Sequence, residues 1–254
     1  MLTAITRAVS PAIANCQLSF IPRQPINLAK AREQHRAYEQ LLEKLGARVV
    51  SLPADPDLPD SVFVEDPAVV LDELAVIFPL GMASRRPEVA SLASALSQFR
   101  KLEYVALPGT LEGGDVLRIG RTLFVGLTKR SNAEGIRQLA AILAFHNYEV
   151  IAVPVTGCLH LKSAVTSLGR DTLLANRAWF DSSSFSACDW IDVDPAEPHA
   201  ANALVLGETA LFPASFPRTR ALIEAHGFHV TSLDISELQK AESGLTCSCL
   251  LFEA

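Results

Sequence analysis

The sequence predicts an α/β fold of five similar units closed into a ring, and three observations lead to it. A pattern of apolar strand, tight polar turn and second apolar strand recurs four times along 254 residues. Helical segments fall between these hairpins. The two ends of the sequence are also apolar and strand-like, so together they can supply a fifth hairpin. Each unit in such an array buries its face against its neighbours.

The elements follow in order. Leu2–Ser10 (LTAITRAVS) reads as a strand. Asn27 to Leu45 carries Leu28, Ala31, Tyr38, Leu41, Leu42 and Leu45 at mostly helical spacing, with Gly46 as a natural stop. Pro53–Pro59 reads as a surface loop rather than a domain boundary. The hairpins are Ala68–Pro79 (AVVLDELAVIFP), Val116–Gly126 (VLRIGRTLFVG), Val165–Asn176 (VTSLGRDTLLAN) and Ala203–Pro213 (ALVLGETALFP). Their turns, near residues 72, 121, 170 and 208, give a period of roughly 40 to 50 residues. Ser131–Glu134 predicts a capping box opening a helix to about His146, and Pro217 to His226 a further helix stopped by Gly227. Cys247–Glu253 (CSCLLFE) predicts the last strand, and pairing it with Leu2–Ser10 would remove the exposed edges of an open array. One domain over residues 1–254 is expected.

Composition narrows the function. A net charge of −6 and a pI near 5.5, with no block of Lys or Arg, exclude a phosphate-tracking surface, so no nucleic-acid partner is expected. No apolar run reaches the roughly 18 residues that span a bilayer, and Met1–Leu18 is a poor secretory signal. Five cysteines in a chain of this size read as free thiols in a reducing cytoplasm. No Cys/His spacing calls for zinc, so neither metal nor cofactor is expected.

The residues ahead of each hairpin carry the chemistry. They are Glu65-Asp66, Glu112 to Asp115, His160 to Ser163, Asn202 and Cys247. If the units are related by pseudo-symmetry, these equivalent positions converge on one mouth. A thiol beside an imidazole makes a nucleophile with an acid/base partner. Carboxylates around them repel anions and suit a guanidinium, whose planar N–H fork matches their geometry. Spacing alone does not separate Cys247 from Cys249 as nucleophile. His35, His146, His199, His226 and His229 read as solvated positions on helices or loops.

With these residues in hand, the chain resembles the dimethylarginine dimethylaminohydrolases of the guanidine-modifying (pentein) superfamily. The resemblance rests on Asp60–Ala68 (DSVFVEDPA), Ser84–Arg86, Leu111–Leu117 (LEGGDVL), Gly126–Gly135 (GLTKRSNAEG), Leu159–Ser163 (LHLKS) and Gly244–Cys247 (GLTC), over nearly the whole length. It implies a five-bladed α/β propeller. It implies Cys247 as nucleophile, His160 as general acid/base and Glu112 as the carboxylate orienting it. By the same resemblance Asp66, with Glu65 beside it, binds the guanidinium nitrogens, and Asp60 the substrate α-amino group. Arg85 and Arg130 hold the α-carboxylate, while Leu18, in a lid, and Ala241 offer backbone contacts. The implied reaction releases citrulline and an alkylamine from a methylarginine through a covalent thiouronium. A small-molecule methylarginine is the expected partner, with a homodimer left open. The alternatives within the superfamily are an arginine or agmatine deiminase and an amidinotransferase. A non-catalytic pentein, such as a ribosome anti-association factor, is the alternative from another class.

Overall fold

Each sheet repeats one pattern: a central strand has an antiparallel hairpin partner on one side and a parallel strand on the other, reached by a crossover. The computed structural model describes residues 1–185 and 188–254. In the first sheet β1 (Leu2–Arg7) lies between β15 (Leu250–Glu253) and β2 (Arg48–Leu52), with α1 (Leu28–Lys44) as crossover. The second holds β3 (Ala68–Val70), β4 (Leu74–Ile77) and β5 (Lys101–Tyr104), with α2 (Glu88–Leu96). The third holds β6 (Val116–Ile119), β7 (Thr122–Leu127) and β8 (Glu149–Pro154), with α3 (Ala133–Leu143). In the fourth, α4 (Leu161–Ala164) leads into β9 (Val165–Gly169), β10 (Thr172–Ala175) and β11 (Asp189–Asp192). Its crossover contains short 3₁₀ turns at Arg177–Trp179 and Ser182–Ser184. The fifth holds β12 (Leu204–Leu206), β13 (Thr209–Pro213) and β14 (His229–Leu233), with α5 (Pro217–Ala225), and α6 (Ser236–Gln239) follows.

Burial explains which strands the sequence announces. Every residue of β4 and β10 is buried, as their continuous apolar runs require. The parallel outer strands are partly exposed and mixed: β5 is Lys-Leu-Glu-Tyr, with no buried residue. These strands and α2 were not expected from the sequence.

The core links neighbouring sheets. Phe78 of the second packs with Leu123 and Val125 of the third, and Phe124 of the third with Leu173 of the fourth. Leu174 meets Phe212 of the fifth, and Leu211 meets Ala4 of the first. Phe252 and Ile5 of the first then pack on Ala75 and Ile77 of the second. Each such large side chain contributes about 1.5–3 kcal/mol on burial.

Four expectations are corrected. Asn132, not Ser131, caps α3, its side chain accepting from the Gly135 N–H at 2.8 Å, so there is no capping box from Ser131. Glu134 pairs forward with Arg137 instead. Cys247 is not on the final strand: it sits in a 3₁₀ turn, Thr246–Ser248, and β15 starts at Leu250. The expected solvation of His35 fails, because α1 buries it against the body, and His229 lies on β14. Among the described residues no helix is long and apolar enough to cross a membrane.

Candidate active site

The segments that lead into the hairpins meet one another. Asp66, ahead of β3, accepts from the Gly114 N–H at 3.3 Å, and its carbonyl accepts from the Gly113 N–H at 2.8 Å. Only glycine fits this approach: a Cβ on Gly113 would lie 2.0 Å from the Glu65 carbonyl oxygen, and one on Gly114 would lie 2.5 Å from His160 Nδ1. Asn202, ahead of β12, donates to the Lys162 carbonyl and to Thr246 Oγ1, both at 3.0 Å. Thr246 donates in turn to Glu65 at 2.9 Å, and Lys162 pairs with the other Glu65 oxygen.

His160 sits at the N-cap of α4, extended at φ −134°, and its Nε2 lies 2.7 Å from Glu112 Oε2. Glu112 is fully buried, and its Oε1 accepts from the Gly81 N–H at 3.2 Å and from Arg130 at 3.4 Å. Burial pushes its carboxyl up, yet His160, Arg85 and Arg130 outweigh that and hold it at about 2. Burial pulls the His160 imidazole down, but Asp66, Asp115 and Glu112 prevail and raise it to about 9. An ionised carboxylate therefore faces an imidazolium near neutral pH.

Cys247 is half-buried, and its Sγ accepts from the Gly244 N–H at 3.4 Å. Burial of the thiol, with Glu65 and Asp66 nearby, pushes it up to about 12. Cys249 faces the other way: it is buried, with Tyr38 Oη 3.0 Å from its sulfur.

Two cavities share Cys247 and His160. The smaller is lined by Gln17, Asp60, Asp66, Arg85, Arg130 and Ala241, a charged set. The larger, about 300 Å³, has an apolar side formed by Phe20, Ile21, Leu159, Pro213 and Phe216, with Glu65, Lys162 and Glu242 also in its wall. Asp60 accepts from the Gln17 N–H at 3.1 Å; burial raises its carboxyl although Arg85 opposes. Arg85 donates to Asp66 at 2.7 Å and grips Glu88 through Nε at 3.1 Å and Nη2 at 2.9 Å.

Asp66, Glu112 and His160 present ligand atoms within 4.8 Å of one another, a spacing a metal ion could use. Arg85 and Arg130 already give these carboxylates positive partners, and Glu112 holds the His160 nitrogen. The donor set therefore fits proton transfer better than cation binding.

Comparison with known proteins agrees with this geometry. Residues 9–178 match the family described as "N,N dimethylarginine dimethylhydrolase, eukaryotic". An N(G),N(G)-dimethylarginine dimethylaminohydrolase of Pseudomonas aeruginosa is 37% identical over 88% of this chain and 89% of its own. One from Streptomyces coelicolor is 38% identical over 96% and 94%. The chain belongs to the dimethylarginine dimethylaminohydrolase family. A solved structure of the Pseudomonas aeruginosa enzyme, a cysteine-to-serine variant complexed with citrulline, superposes with a TM-score of 0.94 at 33% identity, covering 99% of this chain and 100% of that one. As a dimethylaminohydrolase-family member the chain is a hydrolase of the dimethylargininase type.

Most residues expected for a dimethylaminohydrolase site line these cavities. Glu65 does, but Lys162 and Thr246 occupy both its oxygens, and burial raises its carboxyl. Leu18 packs its side chain on the core beside Phe63 and Ala241, while its neighbours Gln17, Phe20 and Ile21 reach the cavities. Two further buried acids stand behind the site: Asp115, expected only as part of the Glu112–Asp115 stretch, and Glu88, not expected at all. Asp115 accepts from Ser131 at 2.6 Å, Thr128 at 2.8 Å and the Leu161 N–H at 2.9 Å; burial lifts it to about 6. Glu88 is lifted to about 7 by burial, although Arg85 opposes. The one signal for Glu88 was its place three residues after Arg85.

Proposed function

We propose that the chain hydrolyses Nω-methylated arginine to citrulline and an alkylamine, with Cys247 as nucleophile. The observation that carries this reading is the meeting, at Cys247 and His160, of a charged cavity and a larger one with an apolar side. The amino-acid end of the substrate fits the charged side. Asp60 takes the α-amino group, and Arg85 and Arg130 the α-carboxylate. The backbones of Leu18 and Ala241 complete that end. Arg85 has five N–H donors and spends four on Asp66, Glu88 and the Asp60 carbonyl, which leaves one for substrate. The guanidinium lies against Asp66 and within the field of Glu65, its methylated nitrogen toward the apolar side.

The cation offsets the carboxylates that hold Cys247 as a thiol, so the bound substrate favours the thiolate, the thiol proton passing to solvent. Sulfur attacks the guanidinium carbon, His160 passes its proton to the departing amine, and a thiouronium remains. Water, deprotonated by His160, then adds to that carbon, and the C–S bond breaks to release citrulline. Glu112 keeps the imidazole oriented and charged. A relative of this family with citrulline bound supports the product. The sheet-to-sheet packing supports a closed five-bladed propeller in one domain, and five free thiols support a cytoplasmic setting.

The test is citrulline release from asymmetric and symmetric dimethylarginine, monomethylarginine, arginine and agmatine. Cys247→Ser should lose about 10³-fold or more in kcat, while Cys249→Ser keeps kcat within about threefold, because its hydroxyl can still pair with Tyr38. Preferred turnover of arginine moves the reading to a deiminase, and activity retained in Cys247→Ser removes the nucleophile.

A further inference from the structure

Glu242 has a backbone that does not suit it. It sits just past α6 at φ 60°, the left-handed region, where the Ser243 N–H reaches back to the Leu238 carbonyl at 3.4 Å. That is the position where a helix end ordinarily takes glycine or asparagine. A glutamate there costs about 1 kcal/mol or more in backbone energy, and such outliers persist where the surroundings enforce them. The helix end accounts for the conformation, but not for the residue.

The side chain accounts for it. The Glu242 carboxylate accepts from three consecutive backbone N–H groups of the 17–25 segment: Ser19 at 2.9 Å, Ile21 at 2.7 Å and Phe20 between them. Successive N–H groups aimed at one point make an anion-binding concavity. This one is filled by a side chain more than two hundred residues away in sequence. The same segment donates from Gln17 to Asp60, offers Ser19 Oγ to Arg130 at 3.3 Å and places Phe20 and Ile21 in the wall of the larger cavity. Glu242 itself lines both cavities.

We propose that Glu242 is a positioning residue whose carboxylate latches the 17–25 segment over the site, so that substrate is held rather than merely admitted. The inference rests on the proposed reaction for its kinetic consequence, but not for its structural one. With the latch gone the segment lifts, Gln17 loses its hold on Asp60, and the larger cavity loses the wall made by Phe20 and Ile21. Substrate binding weakens more than the chemical step slows.

Glu242→Gly separates this role from a structural one, because glycine relieves the backbone while deleting the carboxylate. The variant should melt at or above the wild-type temperature, raise KM for dimethylarginine at least tenfold, and lower kcat by less. Trypsin should cut after the exposed Arg23 at least tenfold faster, followed by mass spectrometry of the fragment. Glu242→Gln, which keeps one acceptor oxygen, should fall between. A Glu242→Gly protein with KM and cleavage rate unchanged overturns the latch, and so does one whose melting temperature falls together with its activity. Should wild type fail to turn over any methylarginine, the reaction is wrong, and the cleavage rates still decide the latch.

Discussion

At the scale of single residues, the proposed reaction takes its pH dependence from the His160–Glu112 pair. His160 is raised from 6.5 to about 9, so at neutral pH it carries the proton that the leaving amine needs. A group raised on folding adds stability that is complete below 6.5 and is lost as pH climbs through about 9. Glu112→Gln removes one of the three charges that hold it there. The variant should lose about 10²- to 10⁴-fold in kcat, and the alkaline limb of kcat/KM should move to lower pH. Its stability should also decline less steeply over that window. An alkaline limb that stays in place would show that another group sets it. The Cys247 thiol is raised as well, to about 12, but there the shift favours the neutral form, which suits the proposed nucleophile woken by a cationic substrate.

At the scale of elements, Asn132 takes the capping role that the sequence suggests for Ser131. Ser131 accepts from the Glu112 N–H at 3.0 Å and donates to Asp115, so it braces the site. Asn132 caps α3. Asn132→Ala should cost about 1 kcal/mol in thermal stability with kcat nearly unchanged. Ser131→Ala leaves a buried N–H unpaired, costing about 1–3 kcal/mol, and should also lower kcat. Thermal melts beside kinetics check both, and the reverse pattern would restore Ser131 as the cap. The four hairpins were legible because buried central strands must be apolar and their turns need Gly or Asp. The outer strands were not, since residues such as Lys101 and Glu103 face water and carry no alternation. Cys247 and His160 stood out through motif and equivalent position. Glu88 and Glu242 did not, because each acts through a partner, Arg85 or a loop backbone, that only the fold brings near.

At the scale of the molecule, the site draws Asp66, Glu112, His160, Asn202 and Cys247 from the approaches to five separate sheets. Phe252 on β15 ties the first sheet to the second, lying edge-on to Phe99 with ring centroids 5.5 Å apart. Phe252→Ala should cost about 3–5 kcal/mol. Loss of activity and loss of structure in urea should then fall on one curve for wild type and variant alike. An activity curve that survives past unfolding of the β15–β1 pair would mean that the first sheet is dispensable to the site.

The convergence of segments from distant parts of the chain also suits this protein to being cut in two. Divided near residue 156, one piece would carry Asp60, Asp66, Arg85, Glu112 and Arg130, and the other His160, Glu242 and Cys247. The proposed nucleophile and its proton donor would lie in one piece and the proposed guanidinium recognition in the other. On the proposed reaction, citrulline would form only where the halves are brought together, so the pair would serve as a proximity reporter with a chemical output.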